Sequence, residues 1–163
     1  MNETYAEYLI KRKTPAYAWI IIGLLGLITA FFIFMALTGG IISMILMFVS
    51  GFLTYMAYRN FHVEFEYLYV DRQLNVDRIL GKAKRKKAYE CTMDEIQLIA
   101  PSGAHVLDDY RGGKVLNCAS REPGAKTYTA VVQKSGETVK LIFEPNDKML
   151  QCFRQTAPRK VMQ

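Results

Sequence analysis

Residues 14–58 read TPAYAWIIIGLLGLITAFFIFMALTGGIISMILMFVSGFLTYMAY, and not one of them is Asp, Glu, Lys, Arg or His. All 21 Lys and Arg and all 15 Asp and Glu of the 163-residue chain lie outside this block. It separates a short leading segment, 1–15, from a long polar remainder, 59–163. Thr38-Gly39-Gly40 divides the block into Ala16–Leu37 (16–37) and Ile41–Tyr58 (41–58). As helices, at about 1.5 Å rise per residue, these reach roughly 33 and 27 Å, close to the ~30 Å hydrocarbon core of a bilayer. Backbone amides in lipid must be satisfied within the segment, so a transmembrane hairpin of two helices is predicted over 16–58. A cleaved signal peptide fits worse, because the first stretch exceeds the roughly 7–15-residue apolar core of such peptides and a second follows at once.

Orientation follows from the flanks. Lys11, Arg12 and Lys13 precede the first span, Arg59 follows the second, and the turn between them carries no charge. Basic flanks stay on the cytoplasmic side, which predicts a multi-pass protein of the cell (inner or plasma) membrane with both termini in the cytoplasm. Tyr17 and Trp19 fall at the same level as Tyr55 and Tyr58, as an interfacial aromatic belt requires. Inside the spans the polar groups are hydroxyls alone, whereas ion and proton paths use ionisable side chains, so an anchor is expected rather than a transporter. Gly23, Gly26 and Ala30 offer a close helix–helix approach. Cys91, Cys118 and Cys152 are odd in number and lack CxxC spacing, which in a reducing compartment argues for core positions rather than disulfides or zinc.

The remainder, 59–163, is read as a mainly antiparallel β domain with one C-terminal helix. HVEFEYLYV (62–70) alternates Val63, Phe65, Tyr67 and Tyr69 against Glu64 and Glu66. A turn at 71–73 leads to a return strand over 74–80, and a turn at Gly81-Lys82 to a basic strand over 83–91. Segments 95–100 and 114–119 read as further strands, with 102–113 irregular between them. Ser135-Gly136 is a two-residue turn signal inside the hairpin 126–144. Pairing across it gives Tyr128, Ala130, Val132, Val139, Leu141 and Phe143 one buried face and leaves Thr129 and Gln133 on a wet one. Asn146 reads as a helix cap before a stripe of Met149, Leu150 and Phe153, placing the helix near 146–156.

Two stretches, YVDRQLNVDRILGKAKRKKAYECTMDEIQLI (69–99) and KLIFEPNDKMLQCFRQTAPRK (140–160), carry a wider likeness. With the apolar hairpin before them, the layout resembles the uncharacterised bacterial two-span membrane proteins with a C-terminal pleckstrin-homology-like (PH-like) domain. The resemblance implies a partly open barrel capped by the helix. It also implies a role in binding or scaffolding, on a protein or a membrane surface, more than catalysis. PH domains that bind phosphoinositides hold the headgroup in an extended loop between the first two strands. Counted from His62, that loop is Asp71-Arg72-Gln73, too short for such a pocket, so phosphoinositide recognition is not carried over.

Candidate chemistry is sparse. His62 and His105 have no Cys, Asp or Glu at ligand spacing, so no metal or cofactor is expected. The alternative of a membrane-associated enzyme would require His105 to converge with Asp108 or Asp109 in one pocket. KAKRKK (82–87) is the stronger clue. From Arg59 onward, 18 Lys and Arg face 13 Asp and Glu, and removing Lys82, Lys84, Arg85, Lys86 and Lys87 makes the counts equal. A strand climbing from the second span and one returning, at ~3.3 Å per residue, bring Gly81-Lys82 back toward the bilayer. Lys82, Lys84 and Arg85 are therefore the candidate contacts to anionic lipid headgroups. The plainer alternative is a solvated strand edge, with Lys86 in a cross-strand ion pair with Asp77. Nucleic acid is not expected, since no aromatics interleave the run.

Overall fold

The computed structural model describes residues 5–110 and 112–162; residues 1–4 of the leading segment, residue 111 and residue 163 lie outside it. Two helices, α1 (Ala16–Leu37) and α2 (Ile41–Phe61), are each long and apolar enough to cross a membrane. Only Ala18 and Ser50 on them are buried, so their apolar side chains face outward, and the pair fits a two-span membrane protein. α2 continues one turn past Tyr58, almost to the first residue of the following strand. Contact between the helices runs through Thr29, Gly51 and Thr54 rather than through Gly23 and Gly26. The Thr29 and Thr54 hydroxyls lie 3.1 Å apart, and a Cβ on Gly51 would meet the Thr29 methyl at 3.8 Å. A Cβ on Gly23 or Gly26 would meet nothing within 4 Å, so those glycines do not set the approach.

The leading segment carries a strand the sequence reading did not assign. β1 (Ala6–Lys11) pairs antiparallel with β2 (Val63–Val70), from Ala6 opposite Tyr69 to Lys11 opposite Glu64. Only Ala6 and Ile10 of β1 are buried, so its apolar alternation is too thin to read from sequence. The helical hairpin is thus an insertion between the first two strands of one sheet. Asp71-Arg72 therefore joins the second strand to the third, and the loop counted above as first-to-second is not that loop. The true connection is the hairpin itself.

That sheet has the order β1-β2-β3-β4, with β3 at Gln73–Leu80 and β4 at Lys84–Thr92. Asp71 and Arg72 both take left-handed φ values, 47° and 66°, as a two-residue hairpin turn demands. The β3–β4 connection spans Gly81 to Ala83, one residue longer than expected, and the ladder shifts again between Val76 and Asp77. Lys86 consequently stands opposite Arg78, and Asp77 opposite Lys87, so the expected Lys86–Asp77 pair does not form. The added loop residue is the cause, because each one-residue slip changes every partner.

The second sheet has the order β5-β7-β8-β6, from β5 (Ile96–Pro101), β6 (Lys114–Asn117), β7 (Tyr128–Lys134) and β8 (Glu137–Phe143). β6 runs parallel to β8, and the other pairs are antiparallel. Ser135 and Gly136 form the predicted turn, with φ of 53° and 84°. The eight strands stay in two separate sheets and close no barrel. Between the sheets lies one core, into which α3 (Asp147–Thr156) presses Met149, Leu150, Cys152 and Phe153. The Asn146 side chain caps α3 by accepting from the Met149 N–H at 2.8 Å. Phe153 meets Tyr69 edge-on at 4.8 Å between ring centres, and Phe143 at 6.1 Å.

β7 is buried on both faces, not one. Thr129, expected on the wet side, is buried, and so is its neighbour on that face, Val131, because the 3-10 turn at His105–Asp109 and its two flanking residues pack Ala104, Leu107 and Tyr110 against Leu98, Ala100 and Val131. Thr129 is satisfied there by the Ser102 hydroxyl, 2.9 Å away.

Candidate anionic-surface site

The hairpin end of the domain is built where two chain crossings and one β-turn meet. Gly81 donates its N–H to the His62 carbonyl at 2.8 Å, seating the β3–β4 turn against the last turn of α2. Its φ is +55°, and a Cβ there would come within 2.5 Å of Arg59 Cγ, so only glycine fits without displacing the arginine. Lys82 follows, also left-handed at φ 57°. Around this junction Lys11, Arg12, Tyr58, His62, Glu64 and Lys82 enclose a cleft of about 350 Å³. Aromatic rings gather at the same level. Tyr58 stacks on His62 at 4.1 Å, Trp19 meets His62 edge-on at 5.8 Å, and Tyr17 meets Phe61 at 5.9 Å.

The basic run starts at this junction and leads away from it along β4, an edge strand of its sheet. Lys82, Lys84, Arg85, Lys86 and Lys87 are all exposed. Their charges are not equally available. Arg85 reaches across the sheet to Glu66, with an N–O distance of 2.9 Å, and lies 4.0 Å from Asp77. Lys87 pairs with Glu90, which lifts the lysine's pKa and lowers the carboxylate's. Among the described residues, Lys82, Lys84 and Lys86 have no carboxylate within ion-pair distance. The four flanking cations also differ. Arg59 stacks over Tyr55 at 5.8 Å, while the Lys13 backbone is tied to the Ser120 carbonyl at 2.7 Å.

Two further arginines, Arg78 and Arg121, join Arg12 and Lys13 around a second, adjoining cleft of about 390 Å³. Arg78 had a legible signal. It sits in the series Leu74, Val76, Arg78, Leu80, where alternation on the core face of β3 calls for an apolar residue. Arg121 had none, since its place depends on a loop between strands.

The groups nominated for catalysis do not converge. His105 is fully exposed on the 3-10 turn, with Nδ1 3.6 Å from Asp108 Oδ2, and Asp109 is exposed beside it. His62 lies at the hairpin junction and is engaged by Tyr58. Among the described residues no three His, Cys, Asp or Glu cluster as a metal site. The three cysteines are buried and free, and burial pushes the Cys91 thiol up to about 12 and the Cys118 thiol up to about 11.

A family model described as a bacterial PH-like domain (DUF6106) matches residues 2–163. No curated protein and no solved structure matches the chain.

Proposed function

The chain belongs to the bacterial PH-like domain family, and on that premise we propose that it is a membrane-anchored module whose domain binds at the membrane surface. α1 and α2 span the cell (inner) membrane, and both termini lie in the cytoplasm. Lys11, Arg12, Lys13 and Arg59 fix that orientation by the preference of basic flanks for the cytoplasmic side. One observation carries the reading. The hairpin enters from β1 and returns into β2 of the same sheet, so the domain is strapped to the bilayer by two chain crossings with little slack. With the Gly81 turn seated on α2, one end of the domain is held at headgroup level.

Lys82 and Lys84 then lie nearest the lipid, and each Lys or Arg near an anionic surface contributes about 1 kcal/mol of attraction. Arg85 contributes less while Glu66 holds it. The hairpin supplies attachment, so the lysines set how the domain lies on the membrane and which face it offers to a scaffolding partner. Lys82→Glu with Lys84→Glu tests this, by hydrogen exchange of the full chain in nanodiscs with and without acidic lipid. Protection of the 81–87 segment should rise with acidic lipid in the wild type and not in the variant. Equal protection of the wild type in both lipids would remove the lipid role of the basic run.

A further inference from the structure

We propose that the cleft gathered by Arg12, Lys13, Arg78 and Arg121 binds the phosphate of an anionic glycerophospholipid headgroup. This rests on the membrane-anchored reading above, but it concerns a different set of residues from the β4 run.

The four cations come from three separate places in the chain: the linker after β1, the middle of β3 and the loop after β6. No carboxylate lines the cleft, and among the described residues none of the four has an ion-pair partner. Folding therefore brings like charges together with nothing of opposite sign to offset them. Arg12 registers the cost: partial burial, then repulsion from Arg121 and Arg78, lowers its pKa. An anion in the cleft would relieve that repulsion. Guanidinium groups suit a phosphate because their paired N–H donors match its oxygens.

Arg12 and the backbone that carries Lys13 and Arg121 are held in place before any ligand arrives. Arg12 lies over the Phe65 ring at 5.7 Å, on the face that Arg78 shares as the cross-strand partner of Phe65. Arg121 has a left-handed φ of 63° on a loop fixed at its neighbour Ser120. The Ser120 N–H and hydroxyl both donate to Glu144 Oε1, at 2.7 and 2.6 Å, while its carbonyl accepts from Lys13. Donors carried on a fixed backbone lose less freedom on binding than donors on a mobile loop.

The position selects the source of the phosphate. Tyr17, Asn60 and Phe61, at the first turn of α1 and the last of α2, form the other wall. When the helices span a bilayer these residues sit at the interface, where headgroup phosphates lie. The exposed apolar flank of α1 continues from Tyr17 and offers a surface for the acyl chains.

Native mass spectrometry of the full chain, released from micelles doped equally with phosphatidylglycerol and phosphatidylcholine, tests the proposal. The wild type should retain phosphatidylglycerol preferentially. Arg78→Gln with Arg121→Gln should cut that preference by about thirtyfold, the worth of two charges at a lipid surface. Both arginines are exposed and repel their neighbours, so the variant should melt at or slightly above the wild-type temperature, and a lost lipid cannot be laid to unfolding. Lys82→Glu with Lys84→Glu removes the diffuse attraction along β4 but should keep the one phosphatidylglycerol that the cleft retains, which separates this site from the basic run. Undiminished retention in the glutamine variant, or loss in the glutamate variant alone, would overturn the cleft assignment. Release of the lipid by millimolar inorganic phosphate would overturn the lipid as its source.

Discussion

The run at 82–87 and the cleft of Arg12, Lys13, Arg78 and Arg121 hold comparable charge at the same end of the domain, yet they were assembled in opposite ways. The first is dense in sequence and thin in space: it lies along an edge strand, its side chains fan into solvent, and Arg85 and Lys87 are taken up by Glu66 and Glu90. The second is scattered over 110 positions and dense in space, with no carboxylate among its lining groups. A charge count along the chain finds the first and misses the second, because local neutralisation and spatial convergence are both properties of the folded sheet.

Breaking the strand that delivers Arg12 and Lys13 should have the largest effect. Ile10 is 6% exposed and holds β1 to the core, so Ile10→Ala should cost about 2–4 kcal/mol in denaturant titrations in micelles. The cleft should lose its lipid preference while the basic run keeps its own.

Alkaline pH separates the two clusters next. Both buried thiols have folded pKa values above the ordinary 9.0, so their contribution is complete below pH 9. It is lost as the pH rises toward 11 for Cys118 and 12 for Cys91, because the unfolded chain releases its protons first. At pH 10 each should cost about 1 kcal/mol. Burial raises the Cys118 value, and Arg12 and Arg78 partly oppose it, so the cleft reaches this thiol. Arg78→Gln should therefore move the onset of Cys118 alkylation to higher pH, and substitutions in the β4 run should leave it unchanged.

Glu66→Gln makes the run more like the cleft by freeing Arg85. Since that arginine is 60% exposed, the stability cost after solvent screening should stay near 0.5–1 kcal/mol, read by thermal melting. Binding to acidic vesicles should strengthen. Smallest is Lys86→Gln, which relieves the like-charge opposition to Arg78 across the sheet. A gain of about a few tenths of a kcal/mol is expected in the same melts.

Much of this molecule was legible before folding was considered. The helical pair follows from an uncharged block long enough to span lipid. The Ser135-Gly136 turn follows from a two-residue turn signal between alternating strands, whereas the turn read over 71–73 closes one residue shorter, at Asp71-Arg72. The α3 cap follows from Asn146 ahead of an apolar stripe. What escaped was set by partners remote in sequence. β1 is a strand because β2, more than 50 residues later, offers it an edge. Val131 is buried because a 3-10 turn from another segment packs over it, and Thr129 beside it is met by the Ser102 hydroxyl. The Lys86 partner changed because one extra turn residue shifted the ladder.

The sequence by itself determined that two apolar helices stand ahead of a long polar stretch of mainly β pattern, and that basic residues flank both outer ends of the pair. Those outcomes rest on hydropathy, length and turn chemistry, which act over a few neighbouring residues. Only the tertiary structure decided that the helices sit inside the first sheet rather than before it, and that four distant cations line one unneutralised cleft. Strand pairing and cross-chain charge balance depend on which surfaces meet, and no local stretch carries that information.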